Sequence, residues 1–165
     1  MSLSTNLVRE KDIRNFLNAK PGIQDMELPV NTVLVAEGTI TQAQILDMAD
    51  TVVELIPAPG AGLALQFLGG VFIATARTTA YVAANDDNMT LKYTDASGLA
   101  VSGVIESDRV LEGTTRRIEE IFPLAAQTAS LTQNAPIIVD NVGADVTGGS
   151  ADATVSYSLR YRIVG

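Results

Sequence analysis

The chain has 165 residues, 47% of them hydrophobic, a net charge of −8, and no Cys, His or Trp. Its length and apolar share suit one domain with a buried core plus an appendage, and exclude wholesale disorder. The missing Cys and His remove disulfides, thiolate nucleophiles, the usual zinc ligand sets and the Ser-His-Asp triad, while the acidic balance disfavours nucleic acid and anionic membranes as partners.

Residues 1–36 carry Arg9, Lys11, Arg14 and Lys20 against Glu10, Asp12, Asp25 and Glu27, so they are electroneutral and the whole charge deficit lies in 37–165. Within them Leu7, Ile13, Phe16 and Leu17 are spaced as a loose helical stripe, and Ser4 or Thr5 could cap it. Lys20-Pro21-Gly22 stops that helix, and Ile23, Met26, Leu28, Val30, Val33 and Val35 follow as isolated apolar positions around Pro29. The sequence predicts an N-terminal arm over 1–36, partly helical or extended, that contacts another subunit. Residues 37–165 form the body. No targeting signal is visible, and the most apolar stretch, Leu63 to Ala76, is too short to span a bilayer as a helix.

The body opens with Thr41-Gln42-Ala43-Gln44, a capping-box pattern that predicts a short helix through Ile45, Leu46 and Met48. Strand signals follow. Thr51–Ile56 is a strand closed by Pro57-Ala58-Pro59-Gly60-Ala61-Gly62, and Leu63–Thr75 is a buried strand bulged at Gly69-Gly70. Thr78–Ala83 is another strand, 85–88 a turn, and Met89–Thr94 an alternating strand with Met89, Leu91 and Tyr93 on one face. Asp95-Ala96-Ser97-Gly98 makes a turn and Leu99–Ile105 the next strand. Arg109–Leu124 fits either a short helix or an alternating strand. Pro136–Val139 is a short strand, Gly143–Gly149 a loop, and Ala153–Val164 the clearest strand, with Val155, Tyr157, Leu159, Tyr161 and Ile163 on one face. Short strands punctuated by Gly, Pro, Asn and Asp, without repeated βα alternation, predict a mainly β chain: an antiparallel β-sandwich or jelly roll with one short helix.

Candidate chemistry is sparse. Pro59-Gly60-Ala61-Gly62 lacks the downstream Gly-Lys-Ser/Thr of a phosphate loop and reads as a turn. Asp86, Asp87, Asn88 and Asp95 could offer oxygens to Ca²⁺, but they lack the EF-hand spacing, and two hairpin turns explain them. Glu119 and Glu120 are adjacent, so their side chains diverge and do not form an acid/base pair. The sequence therefore predicts no enzyme, no catalytic residues, no metal and no cofactor. Arg160 and Arg162 share the polar face of the last strand and meet carboxylates either of the same sheet or of a partner. With Leu7, Ile13, Phe16, Leu17, Ile23, Leu28 and Val30 they form the candidate interface.

The runs Ile40–Leu46, Val52–Gly62 and Gly69–Ile73 resemble small virion proteins encoded in tailed-bacteriophage structural gene clusters. Thr79-Ala80-Tyr81, Leu91-Lys92-Tyr93, Asn134–Ile137, Gly148-Gly149 and Ser158–Val164 extend the likeness over residues 38–164. Within that group the chain is similar to head decoration, or cement, proteins. The resemblance implies a β-sandwich, often trimeric, that sits on the outer capsid lattice, bridges major capsid proteins and stabilises the shell. The expected partners are then the major capsid protein and further copies of the chain as a homotrimer, with no nucleic acid and no membrane, and the expected location is the capsid surface of a virion made in the host cytoplasm. A tail or fibre component that binds host glycan is the alternative, and the 5% aromatic content counts against it.

Overall fold

Nested antiparallel pairing organises the chain. The computed structural model describes residues 32–83, 88–124, 131–141, 143 and 146–165. Its elements are β1 (Leu34–Ile40), α1 (Gln42–Leu46), β2 (Val53–Ile56), β3 (Ala64–Ala74), β4 (Tyr81–Val82) and β5 (Met89–Tyr93), followed by α2 (Ser107–Val110), β6 (Arg117–Ile121), β7 (Ile137–Asn141), β8 (Thr147–Gly148) and β9 (Val155–Val164). β1 pairs with β9, β2 with β7 and β3 with β6, all antiparallel. Residues 99–105 lie antiparallel to β5 through the bridges Lys92↔Ala100 and Met89↔Ile105. Apart from the two-residue strands β4 and β8, which pair with each other, the first strip thus meets the last, the second the next-to-last, and so inwards, as in one long hairpin rolled upon itself. That is the jelly-roll form of the β-sandwich. It gives two sheets, β1-β9-β3-β6 and β2-β7-β5, with β4-β8 as a small separate pair.

Side-chain alternation makes the core. On β9, Val155, Leu159 and Tyr161 are buried while Arg160 between them is exposed. Phe67 and Phe72 from β3 face the same interior, which Leu91 and Tyr93 from β5 and Ile137 and Val139 from β7 fill from the other sheet. Between Phe67 and Gly69 the β3–β9 register slips by one residue. Gly69 carries φ 115 there, and a Cβ on Gly70 would stand 2.6 Å from the Ser158 carbonyl oxygen, so the two glycines let β3 bend without losing its partner. α1 forms for the reason its sequence suggests: the Thr41 hydroxyl accepts from the Gln44 amide while the Gln44 side chain accepts from the Thr41 amide.

Three segments depart from the sequence expectation, and at a fourth the structure decides between the two readings left open. Residues 34–36, counted with the arm, form the first half of β1, where Leu34 pairs with Tyr161 and is 2% exposed. Residues 99–105 are a bulged strip, not a continuous strand. The Ser102 hydroxyl accepts the Leu91 amide in place of a backbone carbonyl, and Ser102 bridges instead to Pro123. Only Tyr81–Val82 of the 78–83 strand pairs, with Thr147–Gly148 inside the expected 143–149 loop, because the amides of Thr78 and Thr79 donate to the Ser150 hydroxyl and leave no ladder. Over 109–124 the alternating strand prevails, as β6, with α2 just ahead of it.

Two tyrosines staple the sandwich in opposite directions. Tyr93 on β5 donates its hydroxyl to the carbonyl of Leu65 on β3, and Tyr157 on β9 donates to that of Leu55 on β2. Burial pushes the Tyr93 phenol up to about 12 from 10. Burial also raises Tyr157, with the nearby Glu54 adding to it, and burial raises Tyr81 despite the cation of Arg77. A phenol that holds its proton more tightly when folded contributes full stability below the unfolded value of 10 and loses it as pH climbs through the folded value. Stability should therefore fall between pH 10 and 12. Tyr93→Phe should cost about 1 kcal/mol at neutral pH and make that alkaline decline shallower, as chemical denaturation at stepped pH will show.

Arg77 is the other fixed point. Only 5% exposed, it donates to the carbonyls of Val110 and Leu111 at 3.0 Å each, closing the end of α2, and its guanidinium lies 5.1 Å from the centre of the Tyr81 ring. Desolvation lowers its pKa from the usual arginine value. Arg77→Met should remove a donor from each carbonyl, leaving that of Leu111 only the Tyr81 amide, and cost about 2–4 kcal/mol, read as a lower denaturant midpoint at unchanged slope.

Candidate functional site

The outer face of the four-stranded sheet is built from the residues that alternate away from the core: Glu37 and Thr39 on β1, Ser156 and Ser158 on β9, Val71 and Ile73 on β3, Ile118 and Glu120 on β6. One row crosses it at the bulge. Val35 of β1 stands opposite Arg160 of β9, and Arg160 opposite Gly69 of β3. Beyond Gly69 the chain leaving β6 completes the row with Phe122 and Pro123. A Cβ on Gly69 would lie 3.6 Å from the Arg160 guanidinium and 3.7 Å from Pro123 Cδ. The glycines therefore floor a hollow of about 250 Å³ walled by Arg160, Glu120, Phe122 and Pro123.

Phe122 is held by its backbone and left open by its side chain. Its carbonyl accepts from the Gly103 amide, and the Leu124 amide donates to the Val101 carbonyl, so this segment ties the four-stranded sheet to the 99–105 strip. The ring is 67% exposed. Val104, at 62%, borders a second hollow together with Phe122, and Ile118, at 61%, lies further along β6 beyond Glu120, so the β6 side carries an apolar ledge that Glu120 interrupts. This second hollow, open and of about 240 Å³, is shared by Val104, Glu106, Arg109 and Glu119. Arg109 and Glu119 form a surface ion pair at 3.4 Å, of a kind that contributes under about 1 kcal/mol. Exposed apolar side chains set among charged ones are candidate contact positions, since burying each large side chain yields roughly 1.5–3 kcal/mol.

The two arginines singled out by sequence part company. Arg162 is half-buried and its Nε donates to the Gln66 side-chain carbonyl on β3, an intramolecular role. Arg160 is exposed, and its side chain makes no hydrogen bond or ion pair among the described residues. Leu7, Ile13, Phe16, Leu17, Ile23, Leu28 and Val30 lie outside the described residues, as do Asp86 and Asp87. Asn88 accepts from the amide of Ser107, the first residue of α2, and Asp95 accepts from the Ser97 amide within its own turn. Among the described residues no three His, Cys, Asp or Glu side chains gather as metal ligands, and no helix is long and apolar enough to cross a membrane.

Sequence reasoning did not find the ledge, although a signal was present. In a strand, residues three apart face opposite ways, so Ile118 and Ile121 cannot both point inward. Ile121 is buried at 2% and Ile118 is the exposed one. Because the ledge side chains support no core, Phe122→Ser should change folding stability by less than about 0.5 kcal/mol, whereas Phe72→Ala, at a fully buried position, should cost about 3–5 kcal/mol. Paired thermal melts of the two variants check this.

No protein-family profile matches the chain, and no curated protein matches it. Among solved structures, a chain from the capsid of Ralstonia phage GP4 is similar at a TM-score of 0.49 and 11% identity, over 85% of this chain and 91% of that one.

Proposed function

We propose that this protein is a capsid decoration, or cement, protein: it binds the outer head lattice of a tailed phage, contacts the major capsid protein, associates with further copies of itself as a trimer, and acts without a catalytic step. The observation that carries the reading is the exposed apolar surface of Phe122, Val104 and Ile118, with Phe122 beside an Arg160 whose side chain has no partner among the described residues, on an acidic body. A jelly roll alone decides little, since capsid and lectin domains share it. What supports assembly over ligand capture is the form of the surface. Both hollows are open to solvent, and Phe122 and Val104, which border them, leave most of their apolar surface uncovered.

A protein that binds only the assembled lattice adds its binding free energy to that lattice by mass action. Each copy that bridges subunits resists their separation, and many copies together oppose the pressure of packaged DNA. Phage particles lacking the protein should therefore release DNA at a lower temperature than complete ones, and the purified chain added back should restore them. A Phe122→Ser, Ile118→Ser variant, folded by circular dichroism, should restore them poorly. Stripped particles that are equally heat-stable but adsorb poorly to cells would replace this reading with a host-binding one.

A further inference from the structure

We infer that the hollow between Arg160 and Phe122 is the docking site for the N-terminal segment, residues 1–31, of a second copy of this chain. The inference deepens the assembly reading above, because it names what covers part of that surface.

Three observations carry it. The first is reach. The segment joins the body at β1, whose Val35 shares a row with Arg160 and Gly69, on the same outer face as the hollow. An extended stretch of 31 residues spans up to roughly 100 Å, while a body of this size is about 36 Å across, so the segment can leave its own body and cross a neighbour's face.

The second is charge. Residues 37–165 hold the entire net charge of −8, so two bodies laid face to face repel each other. The segment is the part of the chain that escapes this, with equal numbers of basic and acidic residues set around Leu7, Ile13, Phe16 and Leu17. The hollow offers the complement: the free guanidinium of Arg160 on one side, the Glu120 carboxylate on another, and the apolar surface of Phe122, Pro123 and Val71 between them.

The third is shape. Gly69, in the outward row of Arg160, carries no side chain, so the hollow's floor there is bare backbone. Phe122 is then the wall that gains most, since an incoming Ile13 or Phe16 would cover a ring now 67% exposed.

The test places a photo-crosslinking benzoylphenylalanine at position 122 in the full-length chain, mixes light copies with copies labelled uniformly with nitrogen-15, and maps the crosslinked peptides by mass spectrometry after a melt has shown that the fold is kept. The expected result is light–heavy crosslinks from position 122 to peptides within 1–31, reduced at least tenfold by Ile13→Ser with Phe16→Ser in the full chain, and again by Arg160→Glu. Crosslinks to 1–31 only within single copies would overturn exchange in favour of folding back. Light–heavy crosslinks only to residues 32–165 would overturn it in favour of body-to-body contact. No crosslink at concentrations where the chain self-associates would overturn the site itself. If particles still bind the protein in any of these cases, the docking assignment fails and the decoration reading stands. If particle binding also fails, both fall.

Discussion

β9 is the strand on which the larger sheet depends. Among the described strands it alone pairs with both β1 and β3, over seven positions on one side and ten on the other. Without it β1 has no neighbour in that sheet and β3 keeps only β6. The backbone hydrogen bonds of a buried strand must be met by another strand, so β9 needs both partners as much as they need it. Its alternation then assigns the faces. Val155, Leu159 and Tyr161 turn to the core, and every residue in register with them on β1 and β3 turns the same way. The outer face is equally determined: Arg160 stands outside because Leu159 and Tyr161 stand inside.

The bulge is where this regular arrangement becomes particular. One extra residue on β3 shifts register at Gly69, and the missing side chain of Gly69 leaves the outer face bare at the row of Arg160. The chain leaving β6 cannot close the gap, because its backbone is engaged with Gly103 and Val101 of the neighbouring strip. Phe122 is thus displayed by the same hydrogen bonds that join the two sheets. A fold device and a contact surface share their atoms here.

What could be read from the sequence followed from periodicity and local chemistry. β9, β5 and the bulged β3 announce themselves through strict alternation and a Gly-Gly pair, and α1 through a capping box whose two hydrogen bonds are both formed. What could not be read depended on partners distant in sequence. Whether 99–105 pairs as a full strand is decided by the Ser102 hydroxyl competing for the Leu91 amide and by Pro123 bridging from the other side, and neither is a property of that stretch alone. Thr78 and Thr79 likewise have strand propensity, but Ser150 takes their amides. At the site, sequence places Arg160 and Arg162 on a common face yet cannot say that Gln66 engages one and leaves the other exposed. Phe122 was hidden for a related reason: an aromatic near the end of a strand reads as core until the fold shows that the strand end lies outside.

The nested pairing also sets a timetable. β9 is synthesised roughly 120 residues after β1, which at about 5–20 residues per second leaves β1 waiting some 6–24 seconds for its partner on the ribosome. Throughout that wait a seven-residue strand rich in apolar side chains, with Glu37 its only charge, offers an unpaired edge. The innermost pair of the rolled hairpin, β5 with the 99–105 strip, closes over a short turn and can form first, whereas the outermost pair bears the largest loop-closure cost and forms last. Copies translated close together on one message would meet during that interval with their β1 edges still unpaired.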